Sequence, residues 1–236
     1  MDIQVAFLFA GNLPRQVAQR MIDSVRENMP RATIIHQTDY ETQGFEGCKT
    51  VRLMEPKDHN DIAEFFWRHT KLLKGPFIKL DYDCVMMQSC AGVFNQDFEV
   101  GLTIRDDRDV SLSNTFRLRH PHNAGVMFSK TDNSFWSEVY DAYMAIPERD
   151  GWMDACDALE TAVERTKVKL LDFPAYDYNY TPVSPYERLD NKFIVHYKGN
   201  RKHWNGVPAA QDAGEDVKRR VNEWSARRLK NPELAE

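Results

Sequence analysis

Two aspartates one residue apart, Asp81 and Asp83, interrupt the apolar stretch FIKLDYDCVMM that runs from Phe77 to Met87. Carboxylates this close repel each other in a half-dry setting, so keeping both calls for a compensating positive charge. Residues at i and i+2 of an extended segment point the same way, and a hard divalent cation with oxygen ligands removes the repulsion. The plain alternative is a turn in which each aspartate bonds nearby backbone. The apolar residues on both sides favour a pocket over a surface turn.

A second group lies near the other end, in IVHYKGNRKHW, where His196, Gly199, Lys202 and Trp204 follow an apolar, β-type run. A lone histidine at a strand end is commonly an ordinary surface or core group. In combination the residues say more. An imidazole completes a carboxylate site for an ion of the Mn²⁺ type, a glycine lets backbone amides approach an anion, and a lysine neutralises phosphate charge. These are the parts of a diphosphate clamp.

Such groups need a scaffold, and the first half of the chain supplies its rhythm. IQVAFLFAG reads as a buried strand, Leu13 to Asn28 as a helix with Pro14 in its first turn, and ATIIHQTD and KTVRLM as further strands. Asp58 to Lys74 reads as a helix, stopped by Gly75-Pro76 ahead of the strand FIKL. This alternation predicts a mainly parallel sheet with helices on both faces, with the aspartate pair just past the carboxyl end of a strand, where ligands settle in open α/β sheets. Farther on, FEVGLTIR, NAGVMFS, VKLLDF and KFIVHY read as strands. Ser134–Met144, Asp154–Thr166 and Asp212–Leu229 read as helices, and Asp106 to His122 as a polar loop.

The chain has 236 residues, 42% of them apolar, which is enough for one α/β domain with a real core. A net charge of -5 gives no general attraction to nucleic acid or anionic membranes. Cys48, Cys84, Cys90 and Cys156 form no zinc-type spacing and read as thiols in a reducing compartment. The run Val5 to Ala10 is too short for a signal core or a membrane span, so the expected location is cytoplasmic.

KLDYDCVM, NAGVMFS and HYKGNRKHW, in this order, resemble the GT-A fold glycosyltransferases, especially the family 8 type that includes glycogenin and lipopolysaccharide galactosyltransferases. The resemblance implies an α/β GT-A domain over residues 1–236, with a nucleotide-binding half (1–90), a donor-sugar and acceptor half (91–205) and a C-terminal helix (206–236). It implies Mn²⁺ (or Mg²⁺) held by Asp81, Asp83 and His196, with Asp81 also on the ribose and Gly199 and Lys202 on the diphosphate. It further implies a wall around the base from Ala10, Gly11, Asn12, Thr38 and Asp39, and a donor-sugar contact from Asn123 with Ala124 and Gly125.

The family's Asp-Gln-Asp helix start is not intact in WMDACDALE, where Asp154 or Asp157 takes the sugar-hydroxyl role. Asp154 is favoured because it opens a helix, where a carboxylate is equally suited to capping. His203 replaces the usual proline before Trp204. The expected reaction is transfer from a nucleotide-diphosphate sugar, a UDP-sugar by resemblance, to a glycan, small molecule or other acceptor, with retention. Two alternatives stand beside it: a phage-type enzyme that glycosylates a modified base in DNA, and a non-catalytic nucleotide-sugar or carbohydrate-binding module.

Overall fold

The computed structural model describes residues 2–11, 13–53, 59–105, 114–149 and 152–204. The expected C-terminal helix at Asp212–Leu229 lies outside them, as does Asn12. A seven-stranded sheet organises the chain: β1 (Gln4–Leu8), β2 (Thr33–Thr38), β3 (Lys49–Arg52), β4 (Phe77–Asp81), β6 (Val100–Ile104), β7 (His122–Ser129) and β8 (Leu170–Pro174), in the order β3-β2-β1-β4-β7-β6-β8. Only β7 runs against its neighbours, so the sheet is mainly parallel, as its apolar strands predict. Helices cover both faces, giving the three-layer α/β domain that the strand and helix rhythm requires.

Alternation along the strands sorts side chains into two cores. Val5, Phe7, Ile78, Leu80, Val126 and Phe128 pack with α1 (Arg15–Asn28), which turns Ala18, Met21, Ile22 and Val25 inward at helical spacing. Ala6, Phe77, Leu102 and Met127 face the other way. There they meet α2 (His59–Thr70), α4 (Phe135–Met144) and α5 (Trp152–Arg165) through Phe66, Trp67, Phe135, Val139 and Leu159. Because α5 leads into β8, its first turn lies at the carboxyl end of the parallel strands.

The sheet also departs from the sequence reading. Asp106 to His122 is not one polar loop: Asn114–Arg119 forms a short helix, α3, and His122 already belongs to β7. The expected strand KFIVHY joins no large sheet. Its core, β9 (Ile194–His196), pairs antiparallel with β5 (Cys84–Met86), a three-residue strand hidden in the run CVMM. The Tyr- and Pro-rich loop FPAYDYNYTPVSPYERL, residues 173–189, contains a one-turn helix, α6 (Ala175–Tyr178), and helix α1 starts one residue after Pro14.

One polar tie joins β7, α5 and β8. The His122 ring sets Nδ1 2.8 Å from Glu160 Oε2 and Nε2 3.2 Å from Asp172 Oδ1, while its main-chain N–H donates to Glu160 Oε1 at 2.9 Å. Burial works against a charge here, but the carboxylates of Asp172 and Glu160 outweigh it and raise the imidazole to about 9. A raised group stabilises the fold fully below its unfolded value, about 6.5, and the benefit disappears as pH climbs through the folded value. With Asp172 half exposed, the loss is on the order of 2 kcal/mol. Urea denaturation at about pH 6 and about pH 9.5 should show this decline in the wild type and a much smaller one in His122→Gln; equal slopes in the two proteins would contradict the assignment.

Candidate metal and diphosphate site

The strands deliver the two sequence motifs to one place. β4 ends on Asp81, level with the end of β1, and Tyr82 and Asp83 form the turn into β5. The β5–β9 register sets Cys84 opposite His196, and Tyr197 N–H donates to the Asp83 carbonyl at 3.0 Å. Helix α1 fixes β5 from the other side, since Ser24 Oγ accepts from Met86 N–H at 3.0 Å and Asn28 Nδ2 donates to Met86 O at 2.9 Å. The two-stranded pair is therefore a clip that brings the late histidine onto the early aspartates.

His196 Nε2 lies 3.3 Å from Asp81 Oδ2 and 3.0 Å from Asp83 Oδ1. Asp83 and His196 are buried and Asp81 is partly so. Adjacent oxygen or nitrogen donors around a six-coordinate ion with bonds of about 2.1 Å stand about 3 Å apart, and both separations from His196 match a Mn²⁺ or Mg²⁺ ion. Burial and the neighbouring Asp83 charge raise the Asp81 carboxyl above the usual range, although His196 opposes this. Asp83 moves the other way: burial resists ionisation, but His196 and Lys202 together hold it below the ordinary value.

Among the described residues, Asp83, Cys84 and His196 are the three whose donor atoms all lie within 4.8 Å of one another, so Cys84 competes with Asp81 for the third position. Burial, with Asp81 and Asp83 adding to it, pushes its thiol well up, and the S–H donates to the Gly125 carbonyl at 3.6 Å. A protonated thiol is a poor ligand for a hard ion, so by donor chemistry the third position goes to the Asp81 carboxylate, 3.3 Å from His196 Nε2.

Lys202 and Gly199 come from the turn of 3₁₀ helix at Gly199–Trp204, and Gly199 adopts φ 56°, a left-handed conformation that favours glycine. Lys202 Nζ donates to Tyr82 Oη at 2.5 Å and sits 3.2 Å from Asp83 Oδ2. Burial alone would lower the ammonium, but Asp83 and Tyr82 raise it, so the charge persists beside the carboxylates. The sequence reading named Lys202 but missed Tyr82, whose hydroxyl the turn between β4 and β5 brings to the same ammonium as Asp83.

Asn123 and Gly125 also converge here. β6 and β7 shift register between Leu102 and Thr103, and the Asn123 side-chain oxygen accepts from Gly125 N–H at 3.1 Å. Gly125 leaves room for the imidazole: an added Cβ would overlap Cε1 and Nδ1 of His196 and come within 3.1 Å of Asp81 Oδ2.

The remaining sequence candidates are spread more widely. Thr38 closes β2, and Ala10 and Gly11 follow β1. Asp39 is occupied by its own loop, accepting from Glu41 N–H, Thr42 N–H and Thr42 Oγ, while Gly11 N–H donates to Thr42 Oγ at 2.7 Å. Burial resists the Asp39 charge, yet these donors hold the carboxyl below its ordinary range. Asp154 stands in the first turn of α5, whereas Asp157, one turn on, accepts from the Arg119 guanidinium at 2.8 Å.

Among solved structures, this arrangement of strands has close counterparts in glycosyltransferases of the GT-A type, and the chain has that fold. It is similar to the galactosyltransferase LgtC in complex with donor and acceptor sugar analogs, with a TM-score of 0.55 and 14% identity over 95% of both chains. A glycosyltransferase involved in glycosylation of the major capsid of PBCV-1 aligns with a TM-score of 0.60 and 13% identity, over 87% of this chain and 97% of that one. Glycosyltransferase GlyE of Streptococcus pneumoniae aligns with a TM-score of 0.57 and 13% identity, over 96% of this chain and 63% of that one. No family model matches the sequence. No curated protein matches it either. Among the described residues no helix is long and apolar enough to cross a membrane.

Filling the space at Gly125 tests how tightly the motifs interlock. Gly125→Ala must displace the His196 ring or the β7 backbone, an overpacking cost of about 1–3 kcal/mol. Thermal denaturation should show a clear drop in midpoint for Gly125→Ala and a far smaller one for Gly92→Ala, where an added Cβ meets nothing.

Proposed function

We propose that this chain is a metal-dependent glycosyltransferase that takes a sugar from a nucleotide-diphosphate donor, a UDP-sugar, and passes it to a separate acceptor with retention of configuration. One observation carries the reading: Asp81, Asp83, His196 and Lys202 converge at the carboxyl edge of a GT-A sheet.

The chemistry asks for that arrangement. Cleavage of the bond between the anomeric carbon and a phosphate oxygen puts positive character on the sugar and negative charge on the departing diphosphate. Asp81, Asp83 and His196 would hold a Mn²⁺ or Mg²⁺ ion, which supplies Lewis acidity toward that diphosphate when bound. Lys202 adds a mobile positive charge: its ammonium, parked on Asp83 and Tyr82, exchanges a carboxylate for a phosphate oxygen by a short swing of its side chain. Gly199, adjacent to it, lets the backbone approach the same anion.

On the sugar side, Asn123 and Gly125 form the floor, and Asp154, in the first turn of α5 at the carboxyl end of the parallel strands, is the carboxylate for a sugar hydroxyl. Around the nucleoside, Ala10, Gly11 and Thr38 provide main-chain groups, and Asp39 shapes their loop through Thr42 instead of meeting the base directly.

Slow hydrolysis of the donor reads this function without knowledge of the acceptor. Full-length protein incubated with UDP-glucose or UDP-galactose and Mn²⁺ should release UDP, and chelation should stop the release. Asp83→Asn and Lys202→Ala should each lower the rate about 100-fold or more, the scale expected when a preorganised charge at a leaving group is removed. UDP release that is indifferent to chelator and to Asp83→Asn would sink the metal-dependent mechanism, and no release from any nucleotide sugar would favour a binding module.

A further inference from the structure

The His196 ring has a second nitrogen, and what it touches decides how the first can act. Nδ1 lies 2.9 Å from Asn179 Oδ1, and both residues are buried. Asn179 Nδ2 lies 2.8 Å from Thr103 Oγ and 3.5 Å from the Asn123 carbonyl. Thr103 Oγ in turn stands 2.8 Å from Asn123 O and 3.1 Å from Val126 O, bridging the register shift between β6 and β7.

The direction of every hydrogen bond follows from the far end of this chain. The carbonyls of Asn123 and Val126 only accept, so the single proton of Thr103 is committed to them. Its oxygen must then accept from Asn179, which fixes the amide nitrogen on the Thr103 side and the amide oxygen on the histidine side. An amide oxygen cannot donate, so His196 Nδ1 carries the proton. In the neutral ring Nε2 is left with a bare lone pair, aimed at the space it shares with Asp81 Oδ2 and Asp83 Oδ1.

We propose that Asn179 is a positioning residue that sets the tautomer and the rotation of His196 for metal binding, and that through Thr103 it couples this ligand to the Asn123–Gly125 segment beneath the donor sugar. The inference rests on the metal-dependent reading above. It adds a residue from the Tyr-rich loop, outside all three motifs and 17 residues before His196. Placement supports it independently of the side chains. His196 N–H donates to the Tyr180 carbonyl at 2.7 Å, and Tyr180 bridges Val195 of β9, so the backbone beside Asn179 is locked to the strand that carries the histidine. Partners of metal-ligating imidazoles orient the ring in this way, and their loss typically weakens metal binding about 10- to 100-fold.

Two measurements test this on the full chain. In metal-free wild-type protein at mildly alkaline pH, long-range ¹H–¹⁵N correlations of His196, assigned against His196→Gln, should show Nδ1 protonated and Nε2 bare; a proton on Nε2 overturns the proposal. In Mn²⁺ titrations followed by electron paramagnetic resonance, Asn179→Leu should bind about 10- to 100-fold more weakly than wild type. Asn179→Asp, which keeps an acceptor for Nδ1–H, should recover most of the affinity, and such rescue would not follow from a purely structural role. Wild-type affinity in Asn179→Leu overturns this inference alone, whereas absence of Mn²⁺ binding by the wild type overturns it together with the metal-dependent reading. If the leucine variant fails to fold, the tautomer measured in the wild type still decides.

Discussion

An imidazole nitrogen wedged between a buried and a partly buried carboxylate is the contact around which the molecule is arranged. Two carboxylates and an imidazole nitrogen packed this closely need positive charge among them, because each has lost water. Lys202 supplies part of that charge at Asp83, while burial and the Asp83 charge keep the Asp81 carboxyl raised. Concentrating negative potential in a spot that the surrounding fold holds rigid is how a protein prepares to receive a hard ion.

The fold makes this contact by bringing together distant pieces of chain. Parallel strands with helical crossovers place β4 between β1 and β7, so that Asp81 emerges where β7 presents Gly125. The clip of β5 and β9 then adds what the sheet cannot, since its register puts His196 across from the residue after Asp83. A slip of one residue in so short a ladder would turn the imidazole to the other face. Tyr197 N–H on the Asp83 carbonyl, Ser24 and Asn28 of α1 on Met86, and the Tyr180 bridge to Val195 all hold that register.

Much of this was legible in the sequence, for definite physical reasons. The buried parallel strands announce themselves as apolar runs, and Asp81 and Asp83 stand out because charge is costly in such a place. His196 and Lys202 could be named from their chemistry. The clip could not, because three residues of CVMM are too few to show a period, and pairing at long range leaves no local trace. Asn179 was invisible for a related reason: an asparagine in NYT reads as a turn residue, and its role exists only once Thr103 and His196 surround it. Asp106 to His122 was read as one loop because its charges masked the short helix α3, whose single turn and a half gives periodicity nothing to work on.

Counting protons also separates this site from the other places where carboxylates gather. Asp39 faces two backbone N–H groups and a hydroxyl. Asp157 faces the donors of a guanidinium, and Glu160 and Asp172 share a histidine that donates from both ring nitrogens. In each of these the donors come from the chain itself, and the carboxylate is at rest. At Asp81 and Asp83 the chain supplies Lys202 to one carboxylate only, and the ring nitrogen within reach of both belongs to a histidine whose other nitrogen faces the Asn179 amide oxygen. Had Nδ1 faced a donor instead, Nε2–H would bond a carboxylate and the cluster would close on itself as the His122 cluster does. On the metal-dependent reading proposed above, what separates this site from the His122 knot is the direction of one hydrogen bond, set through Asn179 by a threonine hydroxyl that spans a strand irregularity.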